Sequence, residues 1–390
     1  MFKNYKSRRI ALAFSVSFFI AFVFFIQLDA LRSRVKDIGI GGNALCSVYE
    51  VELKKNKIIL EKPVTPEVII NFAKSAFLKT ETEQLPSEKI ALSILKQGLV
   101  SVAKGIVKRV KNSEQKNVEV FLFGGVAQGG GDFYRDFLQV EVNNRLVLEK
   151  LKNIVTIKFS ELGDERAIIG AVFAAKHELH DYDRNSQYAV GIDIGGTNIR
   201  AALVNLSTMK IEGQIYKEPV FTEDVDKQKM AELGKKIRLS FSQNQYRCMT
   251  SEYPVSFYLR KHDDQAELSK LKVCVLAKLQ AIIEKINVKK SCFVAVALAG
   301  IVSSSRFVKC TYALPFTAVN LAQDLQKCVN LPAYLLNDLK AAGLGEFFCS
   351  LETRKEKFIV VGVGTGFRIV LVDPSKYAVA NSNGLKNVVT

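Results

Sequence analysis

Two short glycine strings and one Asn-Asp pair hold the residues whose types and spacing could do chemistry. In Asp193-Ile194-Gly195-Gly196-Thr197-Asn198, adjacent glycines can adopt positive φ and present bare backbone N–H groups to an anion, and the Thr197 hydroxyl adds a donor. The string reads as a phosphate cradle. An acidic residue just ahead of such a turn repels phosphate unless a divalent cation sits between them, so Asp193 implies Mg2+ held through water. Gly364-Thr365-Gly366 is a second turn of this kind. Between the two lies Asn337-Asp338, where a carboxylate could take a proton from a substrate hydroxyl; a helix N-cap is the other reading, and spacing alone favours it. Two phosphate turns flanking one Asp describe a phosphotransferase cleft.

Alternating strands and helices must position these groups. Residues 188–216 read as extended segments joined by tight turns, with DIGGTN at the first turn. Ser291–Leu298 (SCFVAVAL) is a buried-strand run ending at Ala299-Gly300. Ala333–Leu336 is another, followed by Asn337-Asp338 and the helical stretch LKAAGLGEFF, and Phe358–Val363 runs into the second glycine turn. Loops at the carboxyl ends of parallel strands are where such sheets place ligands.

With 390 residues, 48% hydrophobic and 24% charged, the chain belongs among folded globular proteins and is long enough for two domains. Lys and Arg number 55 against 39 Asp and Glu, a net +16. Residues 1–36 hold seven of these cations against Asp29, so the remainder is only mildly basic. Between the two basic clusters, Ile10–Leu28 carries no charge and, as a helix at ~1.5 Å per residue, would span the ~30 Å hydrocarbon core. A membrane anchor is the leading reading, with a cleaved signal peptide and a buried helix as rivals. Flanking charge is nearly even and sets no orientation. The seven cysteines form no CxxC pair, which points away from structural zinc and a disulfide framework and toward a reducing compartment. His177 and His180 lack the HExxH spacing and read as a solvated helix end. No aromatic-interleaved basic stretch suggests nucleic acid as a partner.

Taken in order, DIGGTN at 193–198, AVALAG at 295–300, LLNDLKAAGLG at 335–345 and VGVGTG at 361–366 resemble the bacterial glucokinases and their relatives the ROK sugar kinases, in the actin-like ATPase superfamily. The resemblance implies an α/β, actin-like ATPase (ribonuclease H-like) two-domain sugar kinase fold. It implies ATP and Mg2+ as cofactors and a hexose acceptor, glucose by default, in glycolysis. Asp193, Gly195, Gly196, Thr197 and Asn198 would form the first phosphate motif, and Gly364, Thr365 and Gly366 the second. Asn337 would bind a sugar hydroxyl and Asp338 would be the catalytic base.

By the same resemblance the first half of the chain holds the rest of the fold, out of order. Gly41–Tyr49 looks like the family's SGxGL element, and Pro86–Val110 reads as long amphipathic helix. Val118–Phe123 enters Gly124, Gly125 and the glycines up to Gly131, resembling the adenosine-side nucleotide turn. Phe133–Leu148 suits the helix after it, Ile154–Phe159 the next strand, and Leu162–Leu179 the closing helix. Residues 31–182 therefore correspond to the family's carboxyl-terminal part and 188–390 to its amino-terminal part, with 1–30 as the anchor. A circular permutation and a fragment of a tandem duplication both account for this order; the fragment would need a partner chain, as in a swapped homodimer.

The sequence also departs from the family. Where an EGGH-like motif would bind sugar hydroxyls through Glu and His, it reads Asn381-Ser382-Asn383-Gly384-Leu385-Lys386. For a sugar-binding Glu ahead of SGxGL, the nearest candidate is Asp37, one methylene shorter. Phe367-Arg368 replaces the small Leu-Gly pair usual after GTG, and the cysteine-rich zinc motif of ROK kinases is absent, which favours the glucokinase branch. The expected activity is ATP-dependent hexose phosphorylation by a membrane-anchored protein whose kinase region faces the cytoplasm. The alternatives are a cytoplasmic protein and a membrane-tethered, nucleotide-binding pseudokinase or sugar sensor.

Overall fold

The structure is a computed structural model and describes residues 42–60, 63–163, 165–183, 185–243, 262–286, 291–311, 313–349, 356–364 and 367–375. The expected anchor at 10–28, Asp37, Thr365, Gly366 and the 381–386 stretch lie outside the described residues.

Three helices come first: α1 (Gly42–Lys55), α2 (Pro66–Leu78) and α3 (Pro86–Ser113). Strand β1 (Asn117–Phe123), helix α4 (Gly125–Leu148), strand β2 (Ile154–Phe159) and helix α5 (Glu165–Glu178) follow. A meander, β3 (Tyr188–Ile194), β4 (Asn198–Asn205) and β5 (Lys210–Pro219), leads to α6 (Asp224–Gln243) and α7 (His262–Lys285). The rest is β6 (Ser291–Leu298), the hairpin β7 (Ile301–Ser303) and β8 (Phe307–Cys310), α8 (Leu321–Val329), β9 (Ala333–Asn337), α9 (Asp338–Cys349), β10 (Phe358–Val363) and β11 (Phe367–Val372).

These elements build a mixed α/β architecture around two sheets. In the five-stranded sheet, ordered β5-β4-β3-β6-β9, β3 and β4 are antiparallel while β3, β6 and β9 run parallel. The four-stranded sheet, ordered β11-β10-β1-β2, repeats the scheme: β10 and β11 form the antiparallel pair, and β10, β1 and β2 run parallel. The second sheet is thus assembled from two distant parts of the chain, with Leu122 opposite Val361.

Burial follows from composition. Every residue of β6 is buried, as expected of a central parallel strand covered on both faces. One face of the five-stranded sheet packs on α6, α7 and α8 through Val294, Val296, Leu279 and Leu325. Its other face packs on α5, and α5 and α9 share one core with Phe358, Val360 and Val372 of the second sheet. Each fully buried Val, Leu or Phe in this middle layer contributes roughly 1.5–3 kcal/mol. By length and composition α3 could cross a bilayer. It packs instead against α2 and α4, burying Leu95, Leu99, Val102, Ile106 and Val110.

The α5–α9 contact is backbone against backbone. A Cβ added at Gly170 would stand 1.8 Å from the Ala341 carbonyl oxygen, and one at Gly345 would stand 2.1 Å from that of Arg166. The same crossing buries a charged cluster. Arg166 Nε lies 3.8 Å from Glu346 Oε1, with side chains 5% and 7% exposed. Ser160, just past β2, donates to that carboxylate, and the Arg166 guanidinium stacks 4.4 Å over the Phe123 ring at the end of β1.

Candidate functional site

In both sheets the parallel strands end level, and the sequence strings of interest follow those ends. Ile194 pairs with Leu298 and Leu298 with Asn337, so β3, β6 and β9 present their carboxyl ends in one row. Asp193 stands two strands from Leu336 in that row, about 10 Å at ~4.8 Å per strand. In the second sheet Phe123 pairs with Gly362, which brings Gly124 and Gly364 to the same end of neighbouring strands. Gly124 has φ +100°, and a Cβ there would lie 2.5 Å from the Val363 carbonyl oxygen, so both its conformation and its packing require glycine. Neither Gly125 nor Gly364 would meet anything within 4 Å through an added Cβ; both border open space.

The DIGGTN string forms the β3–β4 turn, closed by a 3.0 Å bond from the Gly195 N–H to the Asn198 carbonyl. Thr197 is exposed at its tip. Neither Gly195 nor Gly196 uses the positive φ open to glycine; antiparallel register closes this turn without it. Asp193 faces Arg200 across the β3–β4 pair, with Arg200 Nη1 3.2 Å from Asp193 Oδ2. A single carboxylate, partly neutralised by arginine and 14% exposed, fits Mg2+ held through water and chiefly by nucleotide phosphates, and does not fit a direct all-protein cage. Among the described residues, no three His, Cys, Asp or Glu side chains cluster as a metal site. His177 packs edge-on against Phe173 at 4.7 Å, and burial, with Lys176 beside it, lowers its pKa. The glycines after Gly124 differ from the expected loop: helix begins at Gly125 and breaks only at Gly131, where φ is +56° and ψ −149°.

Asn337 and Asp338 form the most constrained part of the site. Asn337 Oδ1 accepts from the Leu339 and Lys340 N–H groups at 3.2 and 3.3 Å, the contacts of an N-cap. Its amide donates to the Gly300 carbonyl and to Asp338 Oδ1, both at 2.9 Å. Both amide atoms are thus engaged: Oδ1 caps α9, as spacing suggests, while Nδ2 ties Asp338 to the Gly300 carbonyl. Asp338 Oδ1 also accepts from the Leu339 N–H at 2.9 Å and from Arg368 Nη1 at 3.3 Å. Among the described residues all these donors reach Oδ1, and Oδ2 is the oxygen left to take a proton. Burial lifts the Asp338 carboxyl above its ordinary 3.8, opposed by Arg368, the Leu339 N–H and Asn337. A base at the head of a helix, beside two glycine turns, can accept a hydroxyl proton while backbone N–H groups hold an anion.

The Arg368–Asp338 pair links the two sheets, since Arg368 belongs to β11 of one and Asp338 heads the helix that follows β9 of the other. Sequence reading marked Arg368 only as an unusual residue after the glycine turn. Its pairing with Asp338, 30 positions away on another element, carries no sequence signal.

Residues 268–373 match the model of the ROK family, a little over a quarter of the chain. The matched segment contains Asn337, Asp338, Gly364 and Arg368 and excludes both the DIGGTN turn and Gly124. Among solved structures, a ROK family glucokinase from Streptomyces griseus in complex with glucose and AMPPNP is similar at 18% identity and a TM-score of 0.32, over 48% of this chain and 45% of that one. An inorganic polyphosphate/ATP-glucomannokinase from Arthrobacter sp. strain KM is similar at 17% identity and 0.32, over 48% and 58%. An archaeal actin homolog is similar at 11% identity and 0.33, over 64% and 75%. The chain spans about half the length of the two sugar kinases. No curated protein sequence matches it.

Proposed function

We propose that this protein is an ATP-dependent sugar kinase that transfers the γ-phosphoryl group to a hexose hydroxyl, with glucose the first acceptor to test. The observation that carries the reading is Asp338, held through Oδ1 with Oδ2 spare at the level ends of the parallel strands, inside the ROK-matched segment. Asp338 takes the hydroxyl proton as the oxygen attacks phosphorus. Gly195–Asn198 and the paired Gly124 and Gly364 turns bind and orient the nucleotide phosphates through backbone N–H groups. Mg2+, when bound beside Asp193, supplies charge neutralisation on the phosphoryl oxygens. The two sheets close on the substrate and exclude water.

The proposal includes a permuted order of the family's two parts, with residues 31–182 first and 188–390 second. Pairing of β1 with β10 inside one chain supports that order over a tandem fragment needing a partner. It also includes an anchor at 10–28 with the kinase region in the cytoplasm, where ATP is available.

Asp338→Asn tests the reading. It keeps the side-chain shape and is expected to lower phosphorylation by at least ~10²-fold, the usual contribution of a general base, with nucleotide affinity nearly unchanged. Normal turnover by the variant removes Asp338 from the mechanism. Nucleotide binding by the wild type without turnover on any hexose replaces the kinase with a nucleotide-binding sensor.

A further inference from the structure

The cation at the site has no evident task toward a neutral sugar. Arg368 Nη1 lies 3.3 Å from Asp338 Oδ1, and the two side chains are 39% and 32% exposed. An ion pair this open contributes little to stability. Its effect on the chemistry is adverse, because a neighbouring guanidinium makes a carboxylate a weaker base. Among the described residues Asp338 is the one polar partner of Arg368, which uses one of five N–H donors. The remaining donors have no polar partner among the described residues, beside a carboxylate at the carboxyl end of β9.

Proton transfer sharpens the problem. Once Asp338 accepts the hydroxyl proton it is neutral, and Arg368 loses its counter-charge just when the proposed closure on the substrate would exclude water. The other arginine near the strand ends does not face this difficulty, since Arg200 pairs with Asp193, which keeps its charge throughout. An acceptor that brings its own anion resolves both effects. Its carboxylate or phosphate engages the guanidinium fork, draws it from Asp338 and leaves the base free.

We propose that Arg368 is a specificity-determining residue and that the acceptor it selects is an anionic sugar, carrying a carboxylate or a phosphate in addition to the hydroxyl that is phosphorylated. The assignment rests on the kinase reading and narrows its substrate class. In the step, a bond forms between the acceptor oxygen and the γ-phosphorus as the bond from that phosphorus to the bridging oxygen breaks. The proton passes to Asp338, and the electron pair leaves with ADP.

The full chain in detergent, saturated with a non-hydrolysable ATP analogue so that the nucleotide phosphate positions are filled, is titrated calorimetrically with glucose, gluconate and glucose 6-phosphate. ADP release with ATP is measured on the same three sugars. One of the anionic sugars is expected to bind about 10- to 100-fold more tightly than glucose, the range of one charge-assisted contact, and the two arms separate carboxylate from phosphate. Arg368→Gln is expected to erase that preference while leaving glucose affinity within a few-fold. Arg368→Lys, which keeps the charge and loses the fork, should retain part of it and covers a Gln variant that fails to fold. Equal affinity for all three sugars, no binding of either anion, or a preference that survives Arg368→Gln overturns the proposal. So does an equal fall in turnover on every acceptor, which would give Arg368 to the transferring phosphoryl group. Arg368-dependent binding of an anionic sugar without any ADP release sustains the assignment and overturns the kinase reading.

Discussion

Gly170→Ala sets local preference against packing, and the two predict opposite signs. In a helix interior the change from Gly to Ala favours the folded state by about 1 kcal/mol through propensity. Here the new Cβ would lie 1.8 Å from the Ala341 carbonyl oxygen, against a floor of 3.0 Å for real Cβ contacts. The α5 and α9 backbones must part by about 1.2 Å, and overpacking of this kind costs ~1–3 kcal/mol. Net destabilisation is expected. Ala341 lies three residues beyond Asp338, about 4.5 Å along the same helix, so the displacement reaches the base. A misplacement of roughly 1 Å at a reacting group can cost ~10²-fold in rate. Urea unfolding of Gly170→Ala should show a lowered midpoint with an unchanged slope, and ADP release should fall by one to two decades with nucleotide binding retained. Gly163→Ala is the control, since nothing lies within 4 Å of its added Cβ. A raised midpoint for Gly170→Ala, or turnover equal to wild type, would show that the helices are not in the contact described and that α9 does not transmit their spacing to Asp338.

Asn337→Ala removes the cap of α9 and the amide that holds Asp338, so unfolding free energy should drop by ~0.5–2 kcal/mol and kcat should fall more than KM rises; a change confined to KM would make Asn337 a sugar ligand instead. Glu346→Ala leaves Arg166 facing a lost carboxylate in a buried crossing and should cost ~3–5 kcal/mol in denaturant titration, a loss that an exposed pair would not give. Because the Asp338 pKa is raised above 3.8 in the folded protein, the folded state holds more protons than the unfolded chain just above that value. Stability contributed by Asp338 therefore falls as pH rises through that window, a slope that Asp338→Asn should flatten. The acid limb of kcat/KM should lie above the ordinary aspartate value of 3.8 and move further up in Arg368→Leu, which loses the opposing charge; a limb that stays in place would separate Arg368 from Asp338 in solution.

Much of the architecture is legible in the sequence where patterns are local. β2 occupies the expected Ile154–Phe159, β6 the expected Ser291–Leu298 and β10 the expected Phe358–Val363, because uninterrupted apolar runs bounded by turns leave few alternatives. Gly124–Gly131 resembles a nucleotide turn in sequence but is helical from Gly125, since burial of Val126 and Ala127 outweighs the poor propensity of its glycines. Ser240–Gln265 looks in sequence like an expanded surface loop, yet it is helical at both ends, with α6 reaching Gln243 and α7 beginning at His262. The site was legible as a set of strings and illegible as an arrangement. Nothing local says that the Asn337 amide bridges the Gly300 carbonyl and Asp338, that Arg368 reaches the same Asp338 oxygen, or that Gly170 and Gly345 face carbonyls across a helix crossing. Each depends on a partner fixed only by the tertiary fold.

The split origin of the four-stranded sheet bears on how the chain is made. β1 and β2 leave the ribosome well before β10, since Leu122 and its partner Val361 are about 240 residues apart. At 5–20 residues per second the edge of β1 that belongs to β10 stays open for roughly 10–50 s. That edge carries Val120, Phe121 and Leu122, all buried in the finished protein, and an unpaired apolar strand edge is a template for pairing with other chains. Synthesis of this protein should therefore lean on chaperones that occupy the nascent sheet. Slowing translation between β2 and β10 should lower the soluble yield, even where the folded product is stable.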